Sequence, residues 1–332
     1  MATAAVDVGQ TPSERIYTEN KLTVHHYEPT ATEQSADTPL VVVYAILNRP
    51  YILDIQPDRS VVRQFLERGF DVYLVDWGEP SRLDTSLGIA DYVDRYLKNC
   101  VEAVCDRTGS DTVNLLGYCT GGTFATIFSA LYPERVNALG LLAPVLNFDT
   151  EDGIFQFQGR DEQYDPELVI DAFGNAPGEF LLAGFSLRDP GEYYIARYLR
   201  LFERLDDKAF VEHFARRLRW AFDTVDVPGE TYRQFLVDLH QENQLITGDL
   251  RLNGKRVDVD NIRMPILNVL GSDDRFVPAE ASRPFVEAVP SDDTTTIEFP
   301  TGHVGLSVAR TAHDELWPQI CDWYAQRSGR DN

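Results

Sequence analysis

The chain has 332 residues, 43% of them hydrophobic, enough for one large domain or for a core domain carrying an insertion. It holds 53 Asp and Glu against 30 Lys and Arg, a net charge of −23, and so acidic a surface repels phosphates and argues against nucleic acid as a partner. The only lysines are Lys21, Lys98, Lys208 and Lys255. This balance reads as adaptation to molar salt, where a Debye length of about 3 Å screens self-repulsion.

The first residues, MATAAVDVGQ, lack the basic and apolar regions of a secretory signal. No run approaches the roughly 20 apolar residues of a membrane span. A cytoplasmic chain without a transmembrane segment is therefore expected, with residues 28–38 as a polar surface loop. PLVVVYAILN (39–48) and FDVYLVDWG (70–78) are continuous apolar runs bounded by turn residues, the pattern of parallel strands covered on both faces. In SLGIADYVDRYLKNCVEAVCDRTG, apolar residues from Ile89 to Val104 recur at helical spacing, and Gly109 is the stop. Cys100 and Cys105 fall on the buried face of that helix and are expected to be packing. TVNLLGY (112–118), VNALGLLAP (136–144), MPILNVLGS (264–272) and TTTIEFPTG (294–302) complete six strands. Strands alternating with helices predict an α/β fold with a doubly wound, mostly parallel sheet.

Residues 148–256 break that rhythm, with aromatic residues from Phe155 to Phe222 on mainly helical patterns. They are expected to form a cap inserted between the fourth and fifth of those strands. Residues 1–147 and 257–332 would then be the two parts of the core. The glycine- and proline-bearing stretch GNAPGEFLLAGFSLRDPGE (174–192) is predicted to be less regular.

The chemistry concentrates in LLGYCTGGTFA (115–125), a strand, then a tight G-Y-C-T-G-G turn, then a helix. This is the nucleophile elbow of the α/β-hydrolase fold, with Cys119 where a serine is usual. The Thr120 backbone N–H, at the helix N-terminus, would face a developing oxyanion. A second donor is expected near Leu47, with Asn48 beside it, in the loop after the first of the six strands. LGSDDRFVP (270–278) has the spacing of the acid loop and places the acid at Asp274 rather than Asp273, and FPTGHVGLSV (299–308) offers His303 as the base. Each follows its own predicted strand in the order nucleophile, acid, base, which makes a Cys119–Asp274–His303 triad. The other five histidines have no such setting. Asp76 and Trp77 follow the second predicted strand and are candidate substrate contacts, with packing the alternative for Trp77 and a structural hydrogen bond for Asp76. RRLR (216–219) would either pair with acids or meet an anionic substrate. No metal-ligand pattern is present.

A thiolate attacking a thioester exchanges one thioester for another, so the acyl group keeps its transfer potential and can pass downhill to an alcohol. NRPYILDIQPDRSVVRQFLERGFDVYLVDWGEPSR, LLGYCTGGTFA, the run from FDTVDVPGETYRQF to GSDDRFVP, and PTGHVGLSV together resemble the catalytic subunits of polyhydroxyalkanoate synthases, most closely the two-subunit class III. The resemblance covers residues 40–310. It implies polymerisation of (R)-3-hydroxyacyl-CoA into a polyester with release of CoA, through a Cys-Asp-His triad at Cys119, Asp274 and His303. It leaves open whether His303 or Asp274 is the base during elongation. It further implies a CoA thioester as substrate with no separate cofactor, a PhaE-like accessory subunit, a homo-oligomer, and a place at the polyester granule surface. Arg275 departs from the family, which often has a histidine after the catalytic aspartate. The N-terminal part is too short for the large N-terminal domain of single-subunit synthases, and no granule- or partner-binding extension is evident after Trp323. Two other readings stand beside this one: a thioesterase or polyester hydrolase with the same triad, and a catalytically silent granule-binding paralogue.

Overall fold

The computed structural model describes residues 6–31, 36–150 and 164–329; residues 32–35 of the loop predicted over 28–38, and Phe155 and Phe157, lie outside them. Eight strands form the main sheet: β1 Glu14–Glu19, β2 Leu22–Tyr27, β3 Leu40–Val43, β4 Val72–Asp76, β5 Val113–Tyr118, β6 Val136–Leu142, β7 Ile266–Gly271 and β8 Thr294–Phe299. Their order across the sheet is β1-β2-β4-β3-β5-β6-β7-β8. β1 and β2 pair antiparallel and β2 joins β4 antiparallel, while β4 through β8 run parallel. All six predicted strands are present, and they are the parallel ones. The β1–β2 hairpin escaped the sequence reading because β1 is an edge strand with mostly exposed or half-buried side chains, and so lacks the continuous apolar run of a central strand.

Side chains alternate across the sheet, so Val41 and Val43 of β3 join one core and Leu40 and Val42 the other. The helices of the first part are α1 Val61–Leu66, α2 Lys98–Thr108 and α3 Thr120–Leu131. A π-helical segment Asp91–Leu97 leads into α2, and Gly109, left-handed at φ 73°, ends it. Cys100 and Cys105 are buried in the core that α2 and α3 share, and burial pushes both thiols up.

Between β6 and β7 lie α4 Glu167–Phe173, α5 Gly178–Arg188, α6 Arg197–Glu203, α7 Lys208–Phe222, α8 Gly229–Gln234 and α9 Gln244–Thr247. The stretch 174–192, predicted to be irregular, carries α5 instead. Pro177 is its N-cap, and Asp226, 48 residues away, accepts a hydrogen bond from the Gly178 N–H at 3.0 Å. A cap supplied from so far along the chain leaves no local trace in the sequence. The remaining helices are α10 Arg283–Ala288, α11 Gly305–Val308 and α12 Trp317–Ala325. No helix among the described residues is long and apolar enough to cross a membrane.

Helix α7 ties the inserted helices to the loop after β3, while Tyr232, Leu236 and Leu239 pack into the core further along the chain. Trp220 donates its indole N–H to the Arg49 carbonyl at 2.9 Å, and Tyr51 donates its hydroxyl to Asp223 at 3.0 Å. Arg49 pairs with Asp223 at 3.3 Å and with Glu79 at 2.6 Å. These contacts fasten the end of α7 to the loop after β3, which borders the site.

Candidate active site

β5 ends at Tyr118, and the chain turns through Cys119 at φ 54°, ψ −123° before α3 begins. A cysteine in the left-handed region is strained, and strain of this kind belongs to elbows that lift a nucleophile clear of the sheet. The Cys119 N–H donates to the Leu142 carbonyl of β6 at 2.9 Å, and the Cys119 carbonyl accepts from Gly122 at 2.9 Å. The flanking glycines are required by contact. A Cβ on Gly117 would stand 2.5 Å from the Gly122 Cα, and one on Gly121 only 2.2 Å from the Val43 carbonyl oxygen. Cys119 is half-buried and packs against the cores on both faces of the sheet.

The candidate acid and base come from the ends of β7 and β8. Asp274 is buried, whereas Asp273 is exposed, as the spacing predicts. One Asp274 oxygen accepts from the backbone N–H groups of Phe276 at 2.8 Å and Val277 at 2.9 Å. The other lies 2.6 Å from His303 Nδ1. Burial disfavours charge on His303, but the Asp274 carboxylate, with help from Tyr118 and Cys119 nearby, outweighs it and holds the imidazole well above its usual value. Nδ1 is thus committed to Asp274, which leaves Nε2 as the ring nitrogen available for proton transfer.

Two neighbours of His303 were not picked out from the sequence. The Tyr118 ring stacks on the imidazole with centroids 5.3 Å apart, and its hydroxyl donates to the His303 carbonyl at 2.9 Å. Phe276 presents its edge to the same ring at 6.0 Å. Tyr118 adjoins the nucleophile in sequence, a signal that was available. For Phe276, only the fold shows that the acid loop turns its ring toward the base.

Where an oxyanion donor is expected, the Thr120 hydroxyl accepts from the Ile46 N–H at 3.2 Å, which ties the elbow to the loop after β3. The Thr120 N–H is the first of α3, one of the amides that a helix leaves without an internal partner. Leu47 and Asn48 follow Ile46 and line a small depression against α5, together with Leu181, Leu182, Phe185 and Val225. Asn48 is left-handed at φ 62° and donates to the Trp220 carbonyl at 3.3 Å. Trp77 and Asp76 make the structural contacts weighed for them. Trp77 is buried against Tyr92 and Phe124, and its indole N–H donates to the Tyr44 carbonyl at 2.8 Å. Asp76 accepts from the Gly78 N–H at 2.9 Å, closing a turn.

The other histidines lie in other settings. His26 pairs with Asp71 at 2.5 Å, His313 meets the Ser307 carbonyl at 2.7 Å, and His213 meets Gln56 at 2.9 Å. Arg275, the departure in the acid loop, reaches across to Asp189 at the end of α5 at 2.5 Å. Among the described residues, no three His, Cys, Asp or Glu side chains converge in a way that would hold a metal ion.

The family model for the alpha/beta hydrolase fold matches residues 38–309, and that for the poly-beta-hydroxybutyrate polymerase (PhaC) N-terminus matches residues 3–65. The chain is 54% identical over 323 residues to a poly(3-hydroxyalkanoate) polymerase subunit PhaC of Haloferax mediterranei, covering 97% of this chain and 65% of that one. The protein of the same name from Haloarcula marismortui is 51% identical, with 98% and 70% covered. That from Allochromatium vinosum is 38% identical, with 97% and 91% covered. Among solved structures, a Paleococcus ferrophilus monoacylglycerol lipase superposes with a TM-score of 0.55 at 15% identity, covering 93% of this chain and all of that one. A Thermogutta terrifontis esterase gives 0.55 at 16%, covering 96% and 100%. These two show the fold alone.

Proposed function

Because the chain belongs to the poly(3-hydroxyalkanoate) polymerase PhaC family, built on the α/β-hydrolase fold, we propose that it polymerises (R)-3-hydroxyacyl-CoA into polyester and releases CoA. The observation that carries the reading is a cysteine on a strained elbow beside a histidine whose Nδ1 is held 2.6 Å from a buried aspartate.

In the proposed first step, Cys119 Sγ attacks the thioester carbonyl and its proton passes to His303 Nε2. The Thr120 and Leu47 amides would receive the oxyanion. The tetrahedral intermediate collapses, the bond to the CoA sulfur breaks, and His303 returns the proton to the leaving thiolate. The acyl group now sits on Cys119 as a thioester. In the second step, the 3-hydroxyl of another unit gives its proton to His303 and its oxygen attacks that thioester. An oxoester forms and the departing sulfur recovers the proton. Both Asp274 oxygens are occupied, one by two backbone amides and one by His303, and the side chain is fully buried. This supports His303 as the base in both steps, with Asp274 fixing its tautomer. The CoA thioester is substrate, and no cofactor is proposed. The resemblance adds an accessory subunit, a homo-oligomeric state and a granule-surface location to the proposal.

The test incubates the purified chain in high KCl with (R)-3-hydroxybutyryl-CoA, with and without an accessory subunit, and follows CoA release and polymer together. Polymer forming in step with CoA, and both lost in Cys119→Ala, is the expected result. CoA release with free 3-hydroxy acid and no polymer would make the chain a hydrolase. Activity that survives in Cys119→Ala would remove the nucleophile assignment.

A further inference from the structure

Helices α6 and α7 face each other through Tyr198 and Phe214, whose rings meet edge to face at 5.9 Å. Arg217 stands three residues beyond Phe214 and therefore on the same side of α7. Arg200, Tyr193, Glu192 and Arg197 crowd around its side chain, which keeps an exposed face. Arg197 lies over the rings of Tyr193 at 5.4 Å and Tyr198 at 4.8 Å, and its Nε is buried with no hydrogen-bond partner.

The neighbouring arginines are engaged. Arg200 pairs with Glu192, Arg204 with Asp207 at 2.6 Å and Arg216 with Glu212 at 3.7 Å, while Arg219 donates to the Val6 carbonyl at 2.7 Å. Among the described residues, neither Arg197 nor Arg217 has a carboxylate at ion-pair distance. Crowding by its neighbours, together with the charges of Arg200 and Arg197, pulls the Arg217 guanidinium below its usual value, and a bound anion would offset that like-charge repulsion. A run of ring contacts links this arginine cluster to the triad, since Tyr193 meets Phe276 edge-on at 6.2 Å and Phe276 meets His303 at 6.0 Å.

We propose that Arg197 and Arg217 bind the phosphate groups of the acyl-CoA, with its pantetheine arm laid past Tyr193 and Phe276 toward Cys119. Guanidinium groups suit this role because their planar donors match phosphate oxygens two at a time. The proposal rests on the acyl-CoA reading above and names the residues that distinguish CoA from a shorter thiol.

The experiment measures binding by titration calorimetry at fixed KCl, on the full chain carrying Cys119→Ala, with free CoA and with pantetheine. CoA is expected to bind more tightly than pantetheine. Arg197→Gln and Arg217→Gln should each weaken CoA about tenfold or more and leave pantetheine unchanged, and Arg217→Lys should keep part of the difference. Equal affinity for the two ligands, or variants that weaken both alike, would overturn the site. Turnover of (R)-3-hydroxybutyryl-CoA by the unmodified chain is measured separately. If CoA binds in an arginine-dependent way but no thioester is consumed, the site stands and the polymerase reading falls.

Discussion

At Asp274, an amide in place of the carboxylate would keep the shape and reverse the chemistry. In Asp274→Asn, the amide oxygen would still accept from Phe276 and Val277, so its NH₂ would face His303 Nδ1. Nδ1 would then have to accept, the proton would sit on Nε2, and the ring could not take one from Cys119. CoA release should fall about 10⁴-fold with the fold intact, as read by circular dichroism alongside the assay; a loss below tenfold would mean that tautomer control is not Asp274's role. The same pair makes stability depend on pH. The folded value of His303 is raised, chiefly by Asp274 against the opposing effect of burial. The stabilisation is therefore complete below the unfolded value of about 6.5 and is lost as pH rises through the folded one. The difference in Tm between the unmodified chain and His303→Gln should be widest near about pH 6 and shrink toward alkaline pH. A difference that grows with pH would contradict the coupling.

Among the elements, the elbow depends on how closely α3 approaches the end of β3. Gly121→Ala places a Cβ 2.2 Å from the Val43 oxygen and 2.5 Å from that of Tyr44, and backbone on both sides cannot easily give way. A loss of about 1–3 kcal/mol in stability is expected from urea unfolding, together with reduced CoA release as the elbow shifts. An unchanged midpoint would show that the turn can relax. Helix α7 has its own titrating contact with the core. Burial, with Arg59 and Arg217 nearby, pushes His213 down to about 3, and its ring meets Gln56 at 2.9 Å. A depressed histidine contributes stability that is present above its unfolded value and lost as pH falls toward the folded one. His213→Gln should therefore flatten the fall in Tm between about pH 6.5 and pH 3 relative to the unmodified chain. Parallel acid limbs in the two proteins would show that this histidine does not couple α7 to pH.

For the whole molecule, 53 acidic against 30 basic residues make self-repulsion a standing cost of the compact state. Salt bridges such as Arg283–Glu298 and Arg107–Glu14 are at the surface and contribute little that salt would remove. Screening should therefore dominate, and Tm should rise by several degrees between dilute buffer and molar KCl. A maximum in dilute buffer would refute adaptation to salt. The relatives from Haloferax mediterranei and Haloarcula marismortui fit the expected direction.

The six parallel strands, the elbow at Cys119, and the choice of Asp274 and His303 were legible in the sequence because each depends on local pattern. The five inner parallel strands are buried and so apolar almost throughout, and β8 at the edge is bounded by turn residues. A sharp strand-to-helix turn needs glycine at fixed offsets, and acid and base follow their strands in a set order. Features that depend on distant partners were not legible. The helix at Gly178–Arg188 begins where Asp226 caps it, Trp77 is held by the Tyr44 carbonyl, and the Tyr118 and Phe276 rings flank His303 only once β5, β7 and β8 lie side by side. The division of labour among the cap arginines is of the same kind. RRLR reads as three like charges, and only the packing of α7 against α6 and the N-terminal segment leaves Arg217 beside Arg200 and Arg197 while Arg216 and Arg219 are tied elsewhere. The sequence by itself determined which chemistry the chain carries, because that chemistry is written in neighbouring residues. Which side chains surround it was decided by tertiary structure, since contacts between residues far apart in the chain exist only when the sheet and cap have come together.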